Sequence, residues 1–186
     1  MKRRLKILVL GATLLVAAPV GQAVAKGLDF NGLKVIDVGF PEEFARRMKE
    51  IGYKAKLEYE DDGTPIISGR VSRLNYFIRF YNCEDKADCK HAIFSCGYDV
   101  EGRISLEFAN RWNAKEPLGT FRIDDEGDPW IYHTINLVGG MTFKNLEDTL
   151  DWWADTLDTF KRRVDNKEEG ETELPPAPPG AVYEDL

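Results

Sequence analysis

Apolar and polar residues alternate with two different periods along the middle of the chain, and the switches between them mark its elements. Phe44, Met48 and Ile51 recur at helical spacing behind Pro41-Glu42-Glu43, which predicts a helix over residues 41–51 that stops at Gly52. Lys54 to Glu60 then alternates with period two, and Asp61-Asp62-Gly63-Thr64-Pro65 is turn chemistry before a return strand from Ile66 to Val71. Tyr76 to Asn82 and Lys90 to Tyr98 read as two further strands, joined by the acidic loop at residues 84–88. Ile104, Phe108 and Trp112 return to helical spacing. Thr120 to Ile123 and Trp130 to Val138 form a hairpin, and Gly139-Gly140 breaks the pattern before Thr142, a suitable N-cap.

The longest periodic stretch comes last. Phe143, Leu146, Leu150, Trp153, Leu157, Phe160 and Val164 follow one another in steps of three and four, which predicts a helix laid on the sheet. A coiled-coil dimer seam is the competing reading of the same stripe, at the minimum length such a seam needs. The order helix, four strands, helix, two strands, helix makes the fold α+β: a mostly antiparallel sheet of five to six strands with three helices packed on it.

Residues 1–25 stand apart. Lys2, Arg3, Arg4 and Lys6 precede an apolar run from Ile7 to Val20, and Ala23 and Ala25 fit a cleavage site, so the segment reads as an export signal cut after Ala25. A membrane anchor would need roughly 20 apolar residues, and Pro19 and Gly21 break this run first. The expected location is periplasmic or secreted, without stable membrane anchoring after cleavage. Residues 26–39 are then a lead-in, 40–164 one domain, and 165–186 a disordered acidic tail with Pro175-Pro176-Ala177-Pro178-Pro179.

Charge narrows the function. The whole chain carries a formal −7, and removing the four basic side chains of residues 1–25 takes it to −11. That balance argues against nucleic acid and anionic lipid as partners.

Three cysteines, Cys83, Cys89 and Cys96, are an odd number for an exported chain. If residues 84–88 are the loop, Cys83 lies opposite Cys89, Ile78 opposite Phe94, and Phe80 opposite Ala92. Alternation puts Ile78, Phe80, Phe94 and Cys96 on an apolar core face, with Cys83 and Cys89 together on the other face beside Arg79 and Tyr81. This register predicts a Cys83–Cys89 disulfide and a buried free thiol at Cys96. A zinc site would need closer thiolate pairs, two to four residues apart, and a second pair to match.

Little points to catalysis. His91 and His133 stand alone, and no phosphate loop, zinc-helix motif or G-x-S-x-G elbow occurs in the mature chain. No cofactor is expected and no metal. Asp124-Asp125-Glu126-Gly127-Asp128 lacks the ligand spacing of a calcium loop and reads as a solvated turn. The cluster Asn110-Arg111-Trp112-Asn113 is open to two readings: amides that brace the loop into the next strand, or a binding edge made of Asn110, Trp112 and Asn113 with Trp130 and Tyr132.

Phe80-Tyr81-Asn82-Cys83, Cys89, Arg111-Trp112-Asn113, Asp125-Glu126-Gly127-Asp128-Pro129 and Gly139-Gly140 before an apolar helix occur in an order that resembles the YbjN family of bacterial sensory-transduction regulators. The resemblance covers about residues 40–162. It implies an α+β fold similar to type III secretion chaperones, which commonly dimerise and bind extended segments of partner proteins, and it brings no catalytic residues. The function expected is a non-enzymatic exported domain that binds an unidentified protein or peptide, with a homodimer possible. The alternative is a small-molecule binder or hydrolase whose pocket walls are Trp112, Trp130 and Tyr132.

Overall fold

A computed structural model of the chain describes residues 34–100 and 104–166. The expected export signal, most of the lead-in and the tail from residue 167 lie outside the described residues.

The elements run β1 (Val35–Ile36), α1 (Pro41–Ile51), β2 (Lys56–Tyr59), β3 (Pro65–Val71), β4 (Leu74–Tyr81), β5 (His91–Gly97), α2 (Leu106–Lys115), β6 (Thr120–Ile123), β7 (Pro129–Asn136), β8 (Met141–Thr142) and α3 (Phe143–Asp165). Six strands form one antiparallel sheet in the order β2-β3-β4-β5-β7-β6, while β1 and β8 pair separately. The fold is α+β, with the helices segregated on one side of an antiparallel sheet.

Local chemistry sets the helix ends. α1 begins at Pro41, whose missing N–H costs nothing at that position, and closes at Gly52, where φ is +114° and the amide donates to the carbonyls of Met48 and Lys49. Ser105 and Thr142 cap α2 and α3 by accepting from the amides of Phe108 and Asn145 at 3.1 Å each.

The core lies between the helices and one sheet face. Phe44 of α1 meets Phe80 and Phe94 edge-on, with centroids 5.4 and 6.3 Å away. Trp153 of α3 meets Tyr76 and Phe94, and Phe160 joins Trp112 of α2 to Phe121 of β6. Leu146, Leu150, Trp153, Leu157, Phe160 and Val164 are all buried, so the apolar stripe of α3 is consumed by its own sheet and offers no coiled-coil seam.

Two features differ from the sequence expectation. The pair β1–β8, with Val35 opposite Thr142 and Ile36 opposite Met141, binds the lead-in to the start of α3. Two-residue strands carry no periodicity, and only tertiary proximity creates them. The second difference concerns the cysteine loop. Ile78 faces Phe94 and Phe80 faces Ala92, but pairing ends at Tyr81 and His91. Asn82, with φ +52°, turns the chain out of the strand before Cys83 is reached. Alternation therefore stops short of the cysteines, and Cys89 lies not beside Arg79 and Tyr81 but buried in the core, its amide donating to Gly39 O at 2.8 Å.

Candidate functional site

Side chains on alternate residues of β3, β4, β5 and β7 point away from the helices. On that side Ile66, Phe77, Tyr81, Ile93, Trp130 and Tyr132 are all half-buried, and no described helix or strand lies over them. Antiparallel sheets often leave one face to water, but that face is then polar. This one is rich in aromatic and aliphatic residues.

Strand register arranges these residues in rows. Ser68, Phe77, Ser95, Tyr132 and Thr120 lie side by side across five strands. The neighbouring row runs through Ile66, Arg79, Ile93 and Thr134. At the far end of the strands, Arg70 faces Asn75, and Trp130 lies between Gly97 and Arg122. Gly97 is required there, because a Cβ would come within 2.6 Å of the Trp130 indole.

The rings are fixed from the side. Trp130 and Tyr132 stack with centroids 6.0 Å apart, and Tyr81 stacks on His91 at 5.3 Å. The Arg122 guanidinium sits 5.0 Å from the centre of the Tyr132 ring, and that of Arg79 5.8 Å from Phe77. The Trp130 indole N–H donates to Asp124 Oδ2 at 2.9 Å, while Asp124 Oδ1 accepts from the amides of Glu126 and Asp128. These donors, the indole first, hold the Asp124 carboxyl below its usual range. The acidic hairpin turn therefore serves to aim Trp130.

Ser95 lies at the middle of the face, only 3% exposed, with Phe77 and Tyr132 as cross-strand neighbours, and among the described residues its hydroxyl has no hydrogen-bond partner.

Charge is divided between the two sides of the domain. The outer surface of α3 carries Glu147, Asp148, Asp151, Asp155 and Asp158. On the open face Arg79 is paired with Glu60 at 3.0 Å and Lys56 with Glu58 at 2.7 Å. Among the described residues, no carboxylate pairs with Arg70 or Arg122, or with Lys54, which joins Arg70, Ser68, Asn75 and Phe77 around a hollow in this face.

The residues nominated from sequence separate into two groups. Trp130 and Tyr132 belong to the open face. Trp112 is buried, its indole N–H donating to Gly119 O at 2.9 Å; it forms the floor of a separate hollow with Glu116, Leu118 and Trp152, which neither Trp130 nor Tyr132 lines. The Asn113 side chain accepts from Phe121 N–H at 2.8 Å and donates to Phe121 O at 3.1 Å. It occupies both backbone groups of that residue on the edge strand β6, so this edge is closed there to a pairing strand. Asn110 is exposed on α2. Sequence reasoning placed Arg79 and Tyr81 on the face opposite the core but nominated neither for the site, and it missed Phe77, Arg70 and Arg122. Their signal was the alternation of aromatic and arginine residues with core residues along β4 and β6, which marks the face opposite the core.

Cys83 and Cys89 are joined by a disulfide with their Cα atoms 3.8 Å apart. Cys96 is a buried free thiol whose pKa burial pushes up to about 12, so it is an inert packing residue. His133 lies on the helix-covered side against Phe94, and burial lowers its pKa. Among the described residues no three His, Cys, Asp or Glu side chains converge to hold a metal ion.

No curated protein matches the chain. The sequence profile of the YbjN family, described as "Putative bacterial sensory transduction regulator", matches residues 41–166, from the start of α1 to the cap of α3. That span contains the whole six-stranded sheet and all three helices, and the chain belongs to the YbjN family.

Proposed function

We propose that this chain is an exported, non-enzymatic regulatory domain that binds a protein or peptide on the open face of its sheet. The observation that carries the reading is a half-buried group of rings, Phe77, Tyr132 and Trp130, on a face that no described element covers. Rings held in place by stacking and by cations lose little conformational freedom on binding, which favours them as anchors. Family membership supports a regulatory role, and the resemblance to secretion chaperones supports binding of an extended segment. Export rests on the basic and apolar pattern of residues 1–25.

A photo-reactive amino acid placed at Tyr132, in cells that export the protein, tests both parts. The expected result is adducts to a discrete partner from position 132 and none from position 148 on α3, with the recovered chain beginning at Lys26. Equal labelling from both positions would overturn the binding reading, and a chain that keeps residues 1–25 would overturn the export reading.

A further inference from the structure

β2 is an edge of the large sheet, and among the described residues no strand pairs with its outer side. The ladder tells which backbone groups point outward. Glu60 N–H donates to Thr64 O at 2.9 Å, which makes these two a hydrogen-bonded pair across the turn. In an antiparallel ladder such pairs alternate with open ones, so Glu58 with Ile66 and Lys56 with Ser68 also exchange bonds, while Tyr59 with Pro65 and Leu57 with Ile67 do not. Pro65 agrees with this phase, because it has no N–H to give to Tyr59. The N–H and C=O groups of Leu57 and Tyr59 therefore point away from β3, and Ala55 is next in the series. The opposite edge differs, since Asn113 takes both outward groups of Phe121 on β6.

An unpaired edge invites another strand, and lysines placed on it usually discourage one. Here the lysines come with matching acids. Lys54, Lys56, Glu58 and Glu60 alternate along the open-face side of this segment, two bases and then two acids. Such a strand is complementary to a reversed copy of itself. With Leu57 facing Leu57 of a second copy, outward backbone groups meet outward groups, Lys56 faces Glu58 and Lys54 faces Glu60, each pair made twice by symmetry. Glu60 is already held by Arg79 at 3.0 Å, so Lys54 joins an existing ion pair. The neighbouring registers that keep outward groups together put Lys56 on Lys56 or Glu58 on Glu58, which like charge opposes. On the helix side of the sheet Leu57, half-buried against the core, meets its counterpart, and the exposed Tyr59 ring faces the small Ala55. Asp61 and Asp62 fall past this segment, opposite Tyr53 and Gly52, so no facing pair joins two acids.

We infer that two copies of this chain pair antiparallel through β2, with Leu57 at the two-fold axis, and join their sheets into one. The pairing adds about six backbone hydrogen bonds between residues 55, 57 and 59 of the two copies. It does not rest on the reading of the open face as a binding surface. It does extend that face, because an axis perpendicular to the sheet leaves the open faces of both copies on the same side.

Sedimentation of the purified chain is the test. A dimer is expected at about 0.1 mM, the weak association that suits a short edge. Lys56→Glu and Glu58→Lys each set like charges against each other on both sides of the axis, and each should raise the dissociation constant about tenfold or more. Both side chains are largely exposed, so neither change removes a part of the core. An equimolar mixture of the two variants should recover the dimer, because each copy then faces the charge it lacks. Independently, Leu57→Cys should link two copies through position 57 on oxidation in air, and Tyr59→Cys should not link through position 59. A monomer at that concentration, a dimer indifferent to both charge changes, or a mixture no tighter than either variant alone would each overturn the inference. Linking through position 59 as readily as through 57 would do the same.

Discussion

The same strands build both faces of the six-stranded sheet, one residue in two for each, and the aromatic residues on the two faces are organised differently. On the covered face rings meet at steep angles: Phe44 with Phe80 at 82°, and Phe94 with Trp153 at 63°. One ring of each pair comes from a helix, and edges interlock with faces in three dimensions. On the open face the pairs are nearly parallel, at 11° for Tyr81 with His91 and 19° for Trp130 with Tyr132. Both members of each pair stand on the sheet, so they support each other only sideways, with arginines as further braces. A ring needs lateral neighbours to be ordered and a cover to be fully buried. Among the described residues the open face has the first without the second, which is the condition that the proposed binding reading requires.

The largest expected effect tests that contrast directly. Phe94→Ala, on the covered side of β5, should cost about 3–5 kcal/mol, whereas Tyr132→Ala, on the open side of β7, should cost about 1 kcal/mol. Urea denaturation of both variants measures the difference, and equal losses would mean that the open face is core. Replacing both Cys83 and Cys89 with Ser should cost at most about 2–3 kcal/mol. That change should leave the Trp130–Tyr132 end of the face intact by near-ultraviolet circular dichroism, because the bridge lies at the opposite strand end. Asn113→Ala leaves the Phe121 amide and carbonyl without their partner, at about 1–3 kcal/mol. It should also raise the tendency to associate through β6, measurable by light scattering. The smallest effect is that of pH. His133 has a lowered pKa in the folded chain, so the unfolded chain binds more protons below its ordinary value of 6.5. Stability should therefore decline as pH falls from that value through the folded pKa, and His133→Gln should flatten this part of the curve.

The elements were legible to different degrees. α1 and α3 each combine an uninterrupted helical period with a start signal, Pro41 or Thr142, and their beginnings were readable to the residue. The hairpin of β4 and β5 was readable in register, because the apolar residues of both strands face the core only when Ile78 meets Phe94. β1 and β8 were not readable, since no local preference distinguishes two residues of strand from a loop. The candidate site was legible in part. Trp130 and Tyr132 attracted notice as aromatic residues, but so did Trp112, and sequence alone could not separate a ring on a binding surface from one closing the core. Asn113 had a readable alternative in bracing the next strand, and its partner Phe121 N–H emerged only once α2 was set against β6.

By itself the sequence determined the class of fold, the order of the three helices and the six strands of the large sheet, the apolar faces of β4 and β5 and the family, because these follow from local periodicity and the order of motifs. Tertiary structure alone decided three things. It inserted β7 beside β5 and left β6 at the edge. It carried Cys89 into the core, since Asn82 ends the strand before alternation can place the cysteine. It also placed all three helices on one side of the sheet, where the apolar stripes of α1 and α3 could be covered together. The half-apolar row on the other side was written in the strands from the start, but alternation says only that a residue faces away from the core. Whether anything covers that face depends on where distant helices come to rest.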